Sequence, residues 1–537
     1  MKDSRTGLNF ILCLFSCLVL SNVHAQLAEC EQLNVSSEDI PGSCIAKTLA
    51  EQIGSGQGDE TIEGSSVYLI KRDPARAIRR GRQLFQRKFS RDEGVGPRVN
   101  DSSTGDVTVS RALGAGLSDS CASCHGRPRG SAGFGGDVVT RPDSRDAPHL
   151  FGLGLVEQLA EEMTTRLRQI RDEAIASAVI NNRRARRELI AKGIQFGSIT
   201  ASPNGSVDTS RVEGIDADLR LRPFFHHGGT VSIREFIIGA FNDEMGLQAW
   251  DPILCAVTDP DNPVAMTSPA GFEFDPALDE FSRPSACSDT QDPDGDGRLA
   301  EINPALVDHM EFYLLNYFKP GQYQVTRQVE NGEDLLRRIG CVSCHTPDLD
   351  IDSDRRVADV ETVFDPEQGI FNEMFATAST RFDIVEDGHT HPLLLPQNQP
   401  FSVRNFYSDL KRHDLGPAFH ERDYDGGLVT EFVTEPLWGV GSTAPYGHDG
   451  RSINLDAVIR RHGGEAQRAS RQYARLNERE QQDVIAFLQS LVLFPPDDTA
   501  SNLNPGNPAD VEFIQDPATH GSINLGALFQ IDEEGPE

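Results

Sequence analysis

The sequence predicts a mainly α-helical protein with long loops and one helical insertion, organised as two similar halves. Helical patterns cover 76–87 and 332–339, and each leads towards a Cys-x-x-Cys-His motif. Amphipathic helices are predicted near the ends of the halves, at 304–318 and 477–492, because apolar residues recur there at spacings of three and four. A long helical pattern at 155–192 forms the insertion and explains much of the greater length of the first half.

The chain divides into five predicted segments. Residues 1–25 are a signal peptide and 26–70 an irregular lead-in. The first domain, with its helical insertion, covers 71–325, and the second covers 326–495. Residues 496–537, rich in Asp, Asn, Pro and Gly, form an extended tail.

The N-terminal segment has the features of a secretory signal. Lys2 and Arg5 precede an apolar run at 8–20, and small residues precede a cleavage site before Gln26. A lipid anchor at Cys17 is the alternative. No later stretch reaches the roughly 18 apolar residues that a membrane span needs. We therefore expect a bacterial protein that is periplasmic or secreted and has no membrane span.

Charge limits the classes of partner. The 537 residues include 50 Lys and Arg against 82 Asp and Glu, which gives a net charge of -32 and excludes a nucleic-acid partner. A basic stretch in the insertion departs from this average. It is either a solvated helix face or a docking site for an acidic electron donor, and it consists of Arg183, Arg184, Arg186, Arg187 and Lys192.

Two Cys-x-x-Cys-His motifs carry the chemistry. One runs from Cys121 through Cys124 to His125, and the other contains Cys341, Cys344 and His345. Two thiols three residues apart on a helical turn can both reach the vinyl groups of one haem, and the adjacent histidine can bind its iron. A structural zinc site is excluded because the motifs are far apart and a histidine directly follows each of them. The motifs predict two covalently attached c-type haems, and with the helical layout they predict two cytochrome c-like haem domains.

The remaining cysteines predict disulfides. Two of the ten leave with the signal peptide and four belong to the motifs. Proximity favours Cys30–Cys44 and Cys255–Cys287, although four cysteines allow three pairings.

The C-terminal half resembles the di-haem oxidoreductase family, which is related to bacterial di-haem cytochrome c peroxidases and to the enzyme that matures methylamine dehydrogenase. The residues that carry the resemblance lie at 435–439, 443–451 and 462–466. The resemblance covers roughly 75–495. It implies that His462 is the second axial ligand of the second haem, where the peroxidases have a methionine. Two histidine ligands lower the reduction potential relative to histidine and methionine.

The first haem is expected to be five-coordinate. No histidine or methionine lies between His125 and His149, so that loop offers no iron ligand. His149 as a sixth ligand is the alternative. The resemblance further implies that Glu244 is a catalytic acid and base beside this haem. Phe236 and His226 depart from the peroxidase pattern, in which a glutamine and a tryptophan occupy these positions. Phe236 favours an oxygen-binding pocket of the kind found in rubber-cleaving di-haem oxygenases, which the chain distantly resembles.

The resemblance also implies a calcium site between the haem domains. Thr443 and Pro445 match positions that bind calcium through backbone carbonyls in the peroxidases, and Asp146 lies where an asparagine is found. Carboxylate and carbonyl oxygens suit this cation.

Taken together, these residues predict a di-haem oxidoreductase. Peroxide would be reduced, or a small-molecule substrate oxidised, at an open first haem that receives electrons from a second haem with two histidine ligands. An electron-donor protein or a small redox carrier would supply the electrons. The alternatives are a non-catalytic di-haem electron carrier and a haem-dependent oxygenase.

Overall fold

The computed structural model describes residues 49–90, 93–95, 118–127, 131–135, 146–293, 297–367, 374–422 and 427–493. Within these ranges only 35% of the residues are helical and 19% lie in strands. The fold is therefore mixed α/β, and the prediction of a mainly α-helical protein is wrong. The predicted signal peptide, the Cys30–Cys44 disulfide and the C-terminal tail lie outside the described residues.

The first half begins and ends with a helix and has further helices between them, whereas the helices of the second half lie at its two ends. In chain order the α-helices of the described residues are α1 (Leu49–Ile53), α2 (Ser66–Arg72), α3 (Pro74–Gln86), α4 (Cys121–His125), α5 (Leu153–Ile180), α6 (Ile233–Asp243), α7 (Pro252–Val257), α8 (Pro304–Leu315), α9 (Arg327–Ile339), α10 (Leu455–Arg461), α11 (Gln467–Arg475) and α12 (Glu478–Ser490). Short 3-10 helices cover Cys341–Ser343, Val440–Ser442 and Gly464–Ala466.

The strands occupy regions that the sequence predicted as loops or helix. They are β1 (Ala185–Ala191), β2 (Ile194–Ala201), β3 (Val207–Val212), β4 (Met266–Thr267), β5 (Glu273–Phe274), β6 (Gly321–Gln322), β7 (Leu349–Ile351), β8 (Ala358–Phe364), β9 (Met374–Thr380), β10 (Phe382–Val385), β11 (Leu393–Pro396), β12 (Phe401–Val403), β13 (Arg412–Asp414), β14 (Glu421–Arg422), β15 (Leu428–Val429), β16 (Glu431–Val433) and β17 (Leu491–Val492). β1, β2 and β3 form one antiparallel sheet, with Ala185 opposite Ala201. The others form antiparallel pairs, β4–β5, β6–β17, β7–β12, β8–β9, β10–β11, β13–β16 and β14–β15.

The helix before each motif packs against the closing helix of its half, and a glycine lies at both crossings. α3 packs on α8, where a Cβ added to Gly81 would lie 2.2 Å from the carbonyl oxygen of His309. α9 packs on α12, where a Cβ on Gly332 would lie 2.0 Å from the carbonyl oxygen of Asp483. Only a residue without a side chain allows two helix backbones to approach this closely. The predicted order of helix, motif and closing helix is therefore present in both halves.

The helical insertion is shorter than predicted. α5 ends at Ile180, and Asn182 has a φ of 46° in the left-handed region. Asparagine adopts this conformation more readily than most residues, so this position ends the helix. Arg186 and Arg187 are therefore exposed residues of strand β1 and do not lie on a helix face.

Two groups of buried apolar side chains form the interior of the described chain. The smaller group joins α9, α10, α11 and α12 around Tyr407, and the larger group includes most of the other buried apolar residues. The predicted disulfide between Cys255 and Cys287 is present, with a Cα–Cα distance of 5.5 Å. Across the described ranges, no helix combines the length and apolar content required to cross a membrane.

Candidate cofactor site

One cavity of about 830 Å³ brings the two motifs together. Its wall is mainly apolar and includes side chains from both halves of the chain. Every predicted site residue contributes to this wall: Cys121, Cys124, His125, Asp146, Glu244, Cys341, Cys344, His345, Thr443, Pro445 and His462. The sequence placed these residues hundreds of positions apart, and the fold gathers them around one space.

The first motif forms the short helix α4. The Ser120 side chain accepts the backbone N–H of Ser123 and so caps the helix that presents Cys121 and Cys124. His125 donates from Nδ1 to the carbonyl oxygen of Pro148 at 2.7 Å. Burial lowers the pKa of His125 to about 4, so its ring is neutral. A neutral ring protonated at Nδ1 carries its lone pair on Nε2, the form that a metal ligand requires.

The second motif repeats this arrangement on a tighter turn. α9 ends at Gly340, and the 3-10 helix Cys341–Ser343 follows directly. His345 donates from Nδ1 to the carbonyl oxygen of Tyr407 at 2.9 Å, and burial lowers the pKa of His345 to about 4. Tyr407 is itself held by a hydrogen bond from its hydroxyl to Glu333 at 2.8 Å. His345 therefore also has its lone pair on Nε2.

His462 has the same protonation pattern. It follows α10 directly, and its Nδ1 donates to the carbonyl oxygen of Val458 at 2.7 Å. Burial lowers the pKa of His462, which keeps the ring neutral. The edge of the ring packs on Phe419, with 5.4 Å between the ring centres. Nε2 of His462 is thus the nitrogen that carries the lone pair.

His149 differs from these three histidines because both of its nitrogens are used. Nε2 donates to the carbonyl oxygen of Trp438 at 3.0 Å, and Nδ1 accepts the backbone N–H of Phe151 at 3.2 Å. The ring is buried, which lowers its pKa to about 4. His149 lines the cavity, but it has no lone pair left for a metal ion.

The residues present fit two haems. The four motif cysteines are not in disulfides, and burial raises the pKa of Cys121 and of Cys341 to about 12, so in the protein without a bound cofactor these sulfurs are thiols. Each pair of thiols has beside it a histidine whose Nε2 carries a lone pair. The mainly apolar cavity that all of them line suits a porphyrin better than a hydrated ion.

The wall near the first motif contains the predicted acid and base. Glu244 follows the last residue of α6 and is half-buried. Phe236, on the same helix, packs against Phe225 and Phe224 with ring centres 5.3 Å and 6.0 Å away. The phenylalanines make this part of the cavity apolar, with Glu244 as a carboxylate in its wall.

Four further histidines line the cavity, and two of them, His226 and His448, lie close together. His226 Nδ1 is 2.9 Å from Glu435 Oε1, and its Nε2 is 3.2 Å from the carbonyl oxygen of Asp146. The His226 ring centre lies 6.0 Å from that of His448. His448 stacks on Phe432, with ring centres 4.0 Å apart and planes 12° from parallel, and its Nε2 is 3.0 Å from Glu421 Oε2. These hydrogen-bonded rings are polar groups in an otherwise apolar wall.

The residues of the predicted calcium site are neighbours. A Cβ on Gly450 would lie 3.3 Å from Pro445 Cγ and 3.5 Å from Asp146 Cβ. Thr443 follows the 3-10 helix Val440–Ser442 in the same wall. The backbone N–H of Asp146 donates to the carbonyl oxygen of His448 at 2.9 Å. The fold therefore brings these residues together, and the calcium ion itself stays a prediction.

Sequence reasoning missed a charged group beside the second motif. His413 lies 2.9 Å from Asp409 Oδ2 and 2.9 Å from Glu465 Oε2. Although burial disfavours the imidazolium, the hydrogen bonds and charge interactions with Asp409 and Cys344 together outweigh it and raise the pKa of His413 to about 11. Among the described residues, Cys344, Asp409 and His413 are the one group of three side chains close enough to share a metal ion. Cys344 belongs to the second Cys-x-x-Cys-His motif, so we interpret Asp409 and His413 as an ion pair. Its one sequence signal is the i,i+4 spacing of Asp409 and His413.

Comparison with known proteins identifies one family. Residues 355–491 match the family model described as "Di-haem oxidoreductase, putative peroxidase". This segment contains His413, His448 and His462 of the cavity wall. No curated protein sequence matches the chain.

Two solved structures show weak similarity. A MauG-like protein associated with microbial copper homeostasis has 14% identity and a TM-score of 0.28, and the match covers 77% of this chain and 88% of that one. Hydrazine synthase of Kuenenia stuttgartiensis, in crystals pressurised with xenon, has 15% identity and a TM-score of 0.20. That match covers 35% of this chain and 56% of the hydrazine synthase chain. TM-scores this low do not establish that the present chain shares the fold of either structure. Through residues 355–491 the chain is related to the di-haem oxidoreductase family, and this relation implies haem as its cofactor.

Proposed function

We propose that this protein is an exported c-type di-haem oxidoreductase that reduces peroxide, or oxidises a small molecule, at the first motif. Cys121, Cys124 and His125 hold one haem, and Cys341, Cys344, His345 and His462 hold the other. Haems bound there would supply the redox chemistry, and an electron-donor protein or a small redox carrier would supply the electrons. The signal-like N-terminus supports a periplasmic or secreted location.

The contrast between His462 and His149 is the observation that carries the proposal. Both rings are buried and neutral, and both line the cavity. His462 uses Nδ1 for a backbone hydrogen bond and keeps the lone pair of Nε2, whereas His149 uses both nitrogens. The second site thus has two histidines, His345 and His462, whose Nε2 atoms would be available to hold a haem iron, whereas at the first site His125 has this form and His149 does not. Unequal coordination of this kind separates an electron-transfer site from a reactive site.

The protein side chains around the first motif support catalysis in three ways. The hydrogen bond from His125 to Pro148 fixes the orientation and tautomer of the ring. Phe224, Phe225 and Phe236 limit the access of water. A carboxylate oxygen of Glu244 can take a proton from a bound peroxide and return it to the departing oxygen, which is general acid–base catalysis.

Spectra of the ferric protein test this proposal. We expect one high-spin haem and one low-spin haem in the electron paramagnetic resonance spectrum, together with consumption of hydrogen peroxide when a reductant is present. Two low-spin haems would contradict the proposal and favour the non-catalytic electron carrier. A haem stain after denaturing electrophoresis tests the covalent attachment separately.

A haem-dependent oxygenase is the second candidate. The cluster of Phe224, Phe225 and Phe236 favours it, because an apolar pocket is suited to molecular oxygen and an apolar substrate. Incubation with ¹⁸O₂ and an olefin distinguishes the two. Isotope in the product identifies an oxygenase, and peroxide turnover without incorporation identifies a peroxidase.

A further inference from the structure

A row of arginines lies at the edge of the second motif. α11 carries Arg468, Arg471 and Arg475, and it contains no acidic residue. The spacings of three and four place all three on one helix face. Arg338, in the last turn of α9, lies beside them, and its side chain is 62% exposed. We call Arg338, Arg468, Arg471 and Arg475 the arginine face.

The arginine face adjoins the cavity that holds the second motif. Its four residues line a surface pocket of about 800 Å³. Arg338 and Arg468 also line the larger cavity, together with Cys341 and Cys344. The two spaces therefore share a wall, and the arginine face lies where the second haem would approach the surface.

Most of the positive charge on this face is uncompensated. Arg338 pairs with Glu480 at 2.8 Å. Arg468, Arg471 and Arg475 are exposed, and they form no ion pair or hydrogen bond with any residue in the described part of the chain. Three unpaired cations on one helix face stand out in a chain with a net charge of -32.

We propose that the arginine face is the docking surface for an acidic electron-transfer protein that reduces the second haem. This inference rests on the proposed function, and it specifies that the electron donor is a protein with an acidic surface. Arg468 and Arg475 are seven residues apart, so the row extends for about 10 Å along the helix. A small anion is bound by donors that converge on one point, whereas an extended row suits several carboxylates spread over a protein surface.

The negative charge of the rest of the chain does not prevent this contact. At an ionic strength of 0.1 M, charges more than about 10 Å apart are largely screened. A partner seated on the arginine face is within that distance of the four guanidinium groups, which outnumber the two acidic residues beside them, Glu465 in the pocket wall and Glu480 paired with Arg338. The local charge therefore decides where the partner docks.

Stopped-flow reduction of the purified two-haem protein tests the inference at 0.1 M ionic strength. The probe is a reduced plant-type [2Fe–2S] ferredoxin, which is an acidic one-electron donor. The triple variant Arg468→Glu, Arg471→Glu, Arg475→Glu should lower the second-order rate constant about ten-fold or more. The matched variant Arg183→Glu, Arg184→Glu, Arg187→Glu makes the same change in net charge on exposed residues that do not line either cavity. It should change the rate constant less than two-fold.

An uncharged reductant separates the possible failures. Photogenerated lumiflavin semiquinone should reduce the second haem of all three proteins at the same rate. If lumiflavin semiquinone does not reduce the second haem of the wild-type protein, the proposed function is wrong. The proposed docking surface is wrong if the rate constant for reduction by ferredoxin falls equally in both triple variants. It is also wrong if that rate constant does not fall in the α11 variant. Loss of citrate binding in the α11 variant with an unchanged ferredoxin rate would assign the face to a small anion and would also overturn it.

Discussion

His149 donates a hydrogen bond from Nε2 to the carbonyl oxygen of Trp438 across 3.0 Å, and the two residues are 289 positions apart in the chain. The bond joins the loop after the first motif to the end of the loop region that follows the second. It also removes from His149 the nitrogen that could bind the first haem iron. This hydrogen bond therefore links the two halves of the chain and, with the bond from the Phe151 N–H, uses both nitrogens of His149.

Replacement of His149 tests this role. We expect His149→Ala to leave the spin state of the first haem unchanged, because the ring is not an iron ligand. The variant should lose about 1–3 kcal/mol of unfolding free energy, since the buried groups of Trp438 and Phe151 lose their partner. Paramagnetic resonance and urea denaturation measure the two effects. A change of the first haem from low spin to high spin would show that His149 is a ligand.

His462 is expected to behave in the opposite way. His462→Ala removes the second nitrogen ligand, so the low-spin signal of the second haem should become high-spin, and its reduction potential should rise. His420→Ala is the matched control, because His420 bonds to Asp414 at 2.7 Å and does not line the cavity. Ferric spectra and a redox titration check both variants. A second haem that stays low-spin in His462→Ala would show that His462 is not its iron ligand.

The motifs and the presence of the helices beside them could be predicted because they depend on local sequence. Each Cys-x-x-Cys-His pattern predicts haem attachment from five consecutive residues. The amphipathic spacing at 477–492 agrees with α12 at Glu478–Ser490. The strands between 349 and 433 were missed because most are two to four residues long. Strands of that length are too short to show a period of two.

The contacts that define the site could not be predicted because they join distant residues. The sequence identified His149 as a candidate ligand, but its protonation and its lone pairs depend on Trp438. The interaction of His413 with Glu465 is likewise invisible in the sequence, because 52 residues separate them. Resemblance could transfer His462 and Glu244 by position, but only the fold shows which nitrogen of the His462 ring is available.

Asp409 should stabilise the protein in a pH-dependent way. The pKa of His413 is raised from 6.5 to about 11, so the stabilisation is complete below about pH 6.5, decreases as the pH rises from 6.5 to 11, and is absent above 11. Asp409→Asn should therefore cost about 3 kcal/mol near pH 6, and the cost should decrease towards pH 10. Urea denaturation of the variant and the wild type between pH 6 and pH 10 measures this difference in unfolding free energy.

The control for this prediction is Asp456→Asn. Asp456 pairs with Arg460, whose charge does not change between pH 6 and pH 10, so the effect of that variant should be independent of pH. A cost for Asp409→Asn that stays constant over the same range would contradict an ion pair with a protonated His413.

Glu244 provides the test of catalysis at the first motif. Glu244→Gln keeps the size of the side chain and removes its capacity to exchange a proton, so peroxide turnover should fall by about 10²–10⁴-fold. The haem spectra should stay unchanged because Glu244 is not an iron ligand. Asp243→Asn is the matched control, since it removes one carboxylate at the adjacent, exposed position and should retain full turnover. Steady-state assays at saturating reductant compare the three proteins. Equal activity in Glu244→Gln and the wild type would exclude this carboxylate as the acid and base, and the proton would then have to come from solvent or from another group in the cavity wall.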